Sequence, residues 1–217
     1  MVFFENRDRP KELFIGNDIK RIDDVIGIYD LRAKGMACGY SLRSGTAGGV
    51  ANILGYTGRK SRGVILLSAL KEGKSAKDAA RVVKEEVSRG EYSSAKYVFC
   101  DKKIIVSLEN FGTKVHYSED LKRRFVVTTN HFHNLRVGKR LENSILREKY
   151  LQTLGNNITE EGILKLATRH RNPAICRHGR TLSSFIAFER RNEIPQILYS
   201  LDEPCKGYRV FELGHTS

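Results

Sequence analysis

Short runs at ten places along the chain are rich in β-branched, aromatic and other apolar residues, and in many of them apolar and polar positions alternate. A period of two is typical of a strand with one face in a core. The predicted strands span residues 25–32, 36–42, 48–54, 95–100, 104–109, 114–117, 125–129, 183–190, 195–201 and 208–213. Residues 100–103 predict a turn that joins two of these strands into a hairpin.

Two longer stretches instead carry apolar residues at helical spacing. The first covers residues 61–89 and is interrupted near Gly73; its second half opens with Ser75 and Asp78, which resemble a capping box. A stripe of small apolar residues follows at Ala76, Ala79, Ala80, Val83 and Val87. We expect this stripe to lie on a sheet. The second helical stretch covers residues 141–154 and continues over residues 159–169.

The order of these elements favours an α+β fold over an alternating βαβ protein, because strands and helices occur in separate groups. We predict an αββα sandwich in which two antiparallel sheets face each other with helices outside. Neither common glycine-rich nucleotide-binding motif occurs, which argues against the usual nucleotide-binding α/β folds. With no low-complexity linker in the chain, residues 1–217 are predicted to form one domain.

Length and composition exclude several classes of protein. The 217 residues are 40% hydrophobic, which supplies a packed core and excludes disordered and fibrous chains. The longest apolar stretch, residues 63–70, is far shorter than the roughly 20 residues of a membrane span. The first residues do not resemble a signal peptide, so we predict a cytoplasmic protein without membrane association. The four cysteines are widely separated, and we expect reduced thiols.

The charge balance is strongly basic and leaves the partner open. Lys and Arg number 38 against 25 Asp and Glu, a formal net charge of +13. Such a charge suits a nucleic acid, a small anionic or phosphate-bearing ligand, or simply a charged surface. The basic clusters at residues 122–124 and 169–171 are short and scattered, which makes nucleic acid the less favoured partner.

Three segments in the first third of the chain could carry chemistry. Residues 6–8 read Asn-Arg-Asp after an apolar strand start, and Asn52 follows small residues at a strand end, where its amide could donate to an anionic oxygen. Residues 58–63 combine two glycines and three cations before a helix, a plausible anion cradle. The structural alternatives are a turn for the first two segments and a solvated loop for the third.

Three further segments lie in the second half. Residues 128–133 end a predicted strand with a run of hydrogen-bonding side chains, which favours a functional site over a segment that only connects two elements. Cys176 and His178 suggest a zinc site or a nucleophile pair, but neither this spacing nor that of His131 and His133 completes a zinc site, so we predict no metal. A Cys–His nucleophile pair stays open, because catalytic partners meet in space rather than in sequence. Residues 202–205 predict a turn.

Taken in order, these segments resemble the N-terminal-nucleophile (Ntn) hydrolases of the acyl-coenzyme A:6-aminopenicillanate acyltransferase-like group. They also resemble the related NRDE family, which includes the transport and Golgi organisation protein 2 relatives. The matching segments are residues 6–8, 39–55, 61–63, 97–109, 128–132, 175–178, 181–182 and 204–205. The resemblance covers nearly the whole chain, and the order and spacing of the motifs carry its specificity.

The resemblance implies the αββα fold and a cysteine nucleophile whose own α-amino group, with a pKa of about 8, serves as the base. It implies that Asp8 orients the nucleophile and that Asn52 and Asn130 stabilise the oxyanion. The substrate-binding positions that it implies are Asn6, His131 and Arg177. The implied substrate is a linear amide or thioester, no cofactor is implied, and a homodimer is compatible with the family.

The chain departs from the family at the nucleophile. The family places its cysteine on a first strand that returns as a hairpin, whereas Asn6 is preceded here by five residues without Cys, Ser or Thr. Cys38, Cys100 and Cys176 cannot act in the same way, because an internal cysteine has no free α-amine. We expect an upstream strand that carries the cysteine. The alternatives are a catalytically silent relative that binds anionic ligands or RNA through its basic surface, and a nucleophile moved elsewhere in the pocket.

Overall fold

The computed structural model describes residues 1–8, 16–121, 134–135, 142–153, 159–168 and 181–213, with residues 7, 8, 143 and 182 described by their backbone. Within these ranges the chain forms an α+β fold with two antiparallel sheets, of four and seven strands, and four helices. The predicted α+β class and the presence of two antiparallel sheets are confirmed.

The larger sheet is built in chain order, so that every neighbouring pair of strands is antiparallel and consecutive. Its strands are β2 (Asn17–Ile22), β3 (Val25–Asp30), β4 (Gly35–Ser41), β5 (Thr46–Asn52), β6 (Ala95–Cys100), β7 (Ile105–Phe111) and β8 (Lys114–Asp120). The predicted turn between β6 and β7 is present, where Asp101 Oδ1 accepts from Lys103 N at 2.8 Å and from Ile104 N at 3.1 Å.

The smaller sheet joins the first described strand of the chain to the last three, in the order β1-β9-β10-β11. Its strands are β1 (Val2–Asp8), β9 (Thr181–Phe188), β10 (Gln196–Ser200) and β11 (Arg209–Phe211). β1 is at the edge of this sheet and pairs with β9, with Val2 opposite Phe188 and Asp8 opposite Thr181. The register shifts between Arg7 and Asp8.

The four helices are α1 (Arg62–Glu72), α2 (Ala76–Val87), α3 (Glu142–Gln152) and α4 (Glu160–Ala167). The predicted break falls between α1 and α2 because Gly73 packs tightly there, where a Cβ atom would lie 2.7 Å from the Ala79 nitrogen. The predicted cap of α2 is confirmed, since Ser75 Oγ accepts from Asp78 N at 3.1 Å. None of the helices in the described ranges has the length and apolar character needed to span a bilayer.

Three clusters of buried apolar residues hold these elements together. The first joins α1 and α2 to one face of the seven-stranded sheet and includes the whole predicted small-residue stripe. The second contains Phe3 and Phe185 of the smaller sheet together with Ile28 and Tyr40 of the larger one. The third joins Ile163 and Ala167 of α4 to β9 and β10. We call the second cluster the inter-sheet cluster.

Nearly all predicted elements are found within a few residues of their predicted bounds; the predicted strand 125–129 lies outside the described residues. Two strands, β1 and β2, lie outside the ten predicted strand ranges. β2 was not predicted, because its sequence Asn-Asp-Ile-Lys-Arg-Ile is mostly polar, as suits a half-exposed edge strand. Asn6 belongs to a strand that continues through Asp8, so the turn considered for residues 6–8 is not formed.

Candidate functional site

The first described strand lies directly against β5, across the space between the two sheets. Gly49 makes this possible, because a Cβ atom there would lie 2.9 Å from Cζ of Phe3 and would overlap the carboxylate of Glu5. A Cβ atom at this position would force these groups to move, so the absence of a side chain on Gly49 permits the close approach. The strands that carry Asp8 and Asn52 are therefore packed together through Gly49.

These two strands also run in the same direction. Glu189 lies at the start of β1, since its N–H donates to Met1 O at 2.9 Å. It also lies at the start of β5, because its Oε1 is 3.0 Å from a Cβ placed on Gly45, which directly precedes that strand. Both strands therefore end at the opposite end of the sheets, where Asp8 is the last residue of β1 and Asn52 the last of β5. We call the end defined by Asp8 and Asn52 the site end.

A polar contact joins the two sheets at the site end. Asn17, the first residue of β2, donates from Nδ2 to Ser183 Oγ at 2.7 Å. Ser183 lies near the start of β9, two residues after Thr181, which is the partner of Asp8 in the smaller sheet. The site end is thus fixed by a side-chain bond between the sheets as well as by the inter-sheet cluster.

Asn6 and Asp8 are the two polar residues predicted on β1. Alternation along the strand puts Asn6 on the face of Val2 and Phe4, which pack against the cluster that contains α4. This is the opposite face from Glu5, so the structure does not bring Asn6 to the space beside β5. Asp8 follows the register shift in the backbone and is the last residue of β1.

Of the remaining predicted site residues, Asn52 is exposed at the tip of β5. Asn130, His131 and Arg177 lie outside the described residues. The structure therefore brings the ends of β1 and β5 together and leaves the other three positions as predictions.

A buried group of charged side chains beside the site end was not predicted. Lys96 of β6, Glu109 of β7 and Glu148 of α3 are only 2%, 0% and 7% exposed. Lys96 is the register partner of both Ala51 and Glu109, and its Nζ lies 3.6 Å from Glu109 Oε1. We call Lys96, Glu109 and Glu148 the buried charge cluster.

The environment of Lys96 acts on its charge in two opposing ways. Burial disfavours the ammonium form and lowers the pKa of Lys96, while the negative charges of Glu109 and Glu148 act in the opposite direction. Burial is the larger effect, so the pKa lies below its ordinary value. Perturbed lysines of this kind are frequent at functional sites, although structural ion pairs also produce them.

Glu109 also binds the backbone of a second segment. Its Oε2 accepts from Asn134 N at 2.9 Å and from Leu135 N at 3.0 Å. These residues directly follow the predicted site segment 128–133 in the chain. The buried charge cluster thus connects β6 and β7 to the part of the chain that follows Asn130 and His131.

The sequence contained a signal for this cluster. Lys96 is a charge inside one of the most apolar predicted strands, at a position that alternation assigns to a buried face, and Glu109 ends the next predicted strand. Lys96 shares its strand face with Cys100, a member of the inter-sheet cluster. A charge at such a position is rarely found without a partner, so two opposite charges on adjacent strands indicate a buried pair.

The predicted anion cradle at residues 58–63 is occupied by contacts within the protein. Lys60 pairs with Glu91, and Arg62 donates from Nη1 to Ser94 O at 2.8 Å. Gly63 is needed for packing, since a Cβ atom there would lie 2.7 Å from the backbone oxygen of Met36. Lys60, Arg62 and Gly63 therefore have structural roles, and we assign no anion to this segment.

Two of the four cysteines are buried between the sheets. Cys38 and Cys100 are 3% and 7% exposed, and both belong to the inter-sheet cluster. Burial raises the pKa of Cys100 to about 12, which keeps its thiol protonated at neutral pH and makes it a poor nucleophile. Cys176 lies outside the described residues.

The described residues contain no group of three or more His, Cys, Asp or Glu side chains arranged to hold a metal ion.

Comparison with known proteins gives no assignment of this site: no protein-family model matches the chain, and no curated protein is significantly similar to it.

Proposed function

We propose that this chain is an Ntn-type amidohydrolase or acyltransferase that uses a cysteine nucleophile on a linear amide or thioester. The observation that carries the proposal is the geometry of the site end. β1 and β5 pack together through Gly49, run in the same direction and terminate in Asp8 and Asn52. These are the carboxylate and the amide that the resemblance assigns to orienting the nucleophile and stabilising the oxyanion.

The proposal includes the four-layer αββα order of the Ntn hydrolases. Its support is the distribution of the buried residues: α1 and α2 pack on the larger sheet, α4 packs on the smaller sheet, and the inter-sheet cluster draws residues from both sheets. In this arrangement the site end lies at one edge of the two central layers.

The nucleophile is proposed to come from a strand that precedes Met1 and pairs with the outer edge of β1. In the described part of the chain β1 is the edge strand of the smaller sheet, with β9 as its neighbour. A hairpin that turns just before Met1 would send that strand back along β1 in the opposite direction. A strand matching the 7 residues of β1 would then begin beside Asp8, with its N-terminal residue at the site end.

An N-terminal cysteine in that position has the groups that acyl transfer requires. Its α-amine takes the thiol proton, the thiolate attacks the carbonyl carbon, and the amide of Asn52 donates to the oxyanion that forms. The protonated amine then gives its proton to the leaving amine or thiolate. Water or an acceptor amine attacks the resulting thioester, and the cysteine is released. Asp8 holds the α-amine in place through its carboxylate.

The experiment begins with the native polypeptide, whose N-terminal peptide is identified by mass after purification from its source. We expect an N-terminal cysteine, and an acyl adduct on that peptide that is trapped by acid quenching after the protein is mixed with an N-acyl p-nitroanilide. The Asn52→Ala variant should form the adduct about 10²–10³ times more slowly. The matched control is Asn192→Gly, which removes an asparagine from a turn with φ 59° without straining the backbone.

A native N terminus without a thiol or hydroxyl nucleophile would contradict the proposal. The binding-protein alternative would then be tested by nucleic-acid binding at low salt, which should weaken steeply as salt is added if the +13 charge is used in this way.

A further inference from the structure

We infer that Glu109 is a positioning residue: through two hydrogen bonds that one of its carboxylate oxygens accepts, it holds the segment that follows Asn130 against the seven-stranded sheet. The link from this segment to catalysis rests on the proposed function, in which Asn130 is the second oxyanion donor.

The geometry of Glu109 distinguishes its two oxygens. Oε2 accepts from two successive backbone N–H groups, those of Asn134 and Leu135, at 2.9 and 3.0 Å. Oε1 faces Lys96 at 3.6 Å, which is long for a hydrogen bond. Hydrogen bonds from N–H groups to a carboxylate are strong and directional. The attraction between two charges at the longer distance has no such directionality. The two backbone bonds therefore fix the position of the segment.

The role of Lys96 follows from burial. Glu109 is 0% exposed, and a carboxylate removed from water is costly unless a positive charge compensates for it. Lys96 supplies that charge from the adjacent strand. A buried ion pair is itself weak evidence for stability, because desolvation of both charges offsets their attraction. We therefore assign charge compensation to Lys96 and placement of the segment to Glu109.

The same contacts relate the segment to the site end. Asn134 lies four residues after Asn130 in the chain, and Lys96 is the register partner of Ala51, which directly precedes Asn52. Asn52 is thus the last residue of β5, and Asn134 is bound through Glu109 to β7, which is separated from β5 by β6 in the same sheet. Donors that converge on a single oxygen must be placed to within about an ångström, since larger errors reduce the rate severely.

The test compares two double variants that differ in one group. Lys96→Met with Glu109→Gln removes both charges and keeps an acceptor oxygen, while Lys96→Met with Glu109→Ala removes both charges and the acceptor. Amide hydrogen exchange is measured in the peptide that contains Asn134 and Leu135. We expect the Gln variant to stay within about threefold of the wild type and the Ala variant to exchange at least about tenfold faster.

The rate of acylation distinguishes a positioning role of Glu109 in catalysis from a purely structural role. If Glu109 positions the oxyanion donor, the Ala variant should lose its maximal rate of acylation by the p-nitroanilide with little change in KM, and the Gln variant should recover it. Loss of exchange protection without loss of rate would refute the catalytic link. If the wild type itself shows no acylation, the proposed function fails, while the exchange comparison still decides whether Glu109 holds the segment.

Equal exchange in the two double variants would refute the inference, whatever the activity. Thermal unfolding shows whether each variant is folded before exchange is measured. Should neither double variant fold, the single variant Glu109→Gln provides the same test. It keeps the acceptor, so the inference requires its Asn134–Leu135 peptide to stay within about threefold of wild-type exchange, and faster exchange would overturn it.

Discussion

The contact between β1 and β5 can be tested by giving Gly49 a methyl group. In Gly49→Ala the new Cβ would overlap the carboxylate of Glu5 and lie 2.9 Å from Cζ of Phe3. The carboxylate is at the end of a flexible side chain and can rotate away. The ring of Phe3 is 8% exposed and sits in the inter-sheet cluster, so relief requires β1 to move away from β5.

The magnitude follows from these contacts. Overpacking of a well-filled core costs about 1–3 kcal/mol, and the gain from replacing glycine within a strand returns roughly 0.5–1 kcal/mol. A net loss of about 1–2 kcal/mol is expected, which lowers the Tm of a chain of this size by roughly 2–8 °C. Urea unfolding followed by circular dichroism measures the free energy.

Gly48→Ala is the matched control, because its Cβ would meet Phe99 Cδ1 at 2.6 Å and Leu66 Cδ1 at 3.4 Å on the helix side of the same strand. Both variants should be destabilised by similar amounts. Only Gly49→Ala should also speed hydrogen exchange of the β1 amides by more than the global loss of stability accounts for. If the β1 amides respond equally in the two variants, or if Gly49→Ala leaves stability unchanged, the packing of β1 on β5 is not as described.

Three further predictions concern single side chains. Ser75→Ala removes the acceptor for Asp78 N and should cost about 1 kcal/mol in urea unfolding, whereas a cost near zero would refute the role of this cap. Lys96→Met removes the cation facing Glu109 and Glu148 and should cost about 3–5 kcal/mol, much of it recovered by adding Glu109→Gln; no recovery would show that the charges are not coupled. Burial raises the pKa of Cys100 to about 12, so the unfolded thiol ionises first and the free energy of unfolding falls as pH rises above the unfolded pKa of about 8.5. The Cys100→Ala variant should therefore lose less stability than the wild type between about pH 8 and about pH 10, and identical pH profiles would contradict this assignment.

Much of the fold could be predicted because local pattern and tertiary burial agree. The small-residue stripe of α2 predicted a helix lying on a sheet, and all five of its residues are fully buried. The hairpin at Asp101 and the cap at Ser75 are local features, decided by side chains that bond to neighbouring backbone. Edge strand β2 escaped prediction because a half-exposed strand at a sheet edge needs little apolar alternation.

The candidate site was less predictable because it depends on long-range pairing. That β1 and β5 end together follows from the contacts of Gly45, Gly49 and Glu189, none of which has a local signature. The register of β1 against β9 sets the face of Asn6, and sequence alone does not fix that register. Lys96 and Glu109 were visible as charges in apolar strands, but their partnership required knowing that β6 and β7 pair at those positions.

The topology of the smaller sheet determines when the site end can form during synthesis. Each strand of the larger sheet pairs with its neighbour in the chain, so that sheet can assemble as the ribosome delivers it. β1 must wait, because Val2 pairs with Phe188 and its partner strand is among the last parts of the chain to emerge. Asp8 therefore reaches its place only after β5 and Asn52 are already in position, and a chain that terminates before β9 retains one half of the site end without the other.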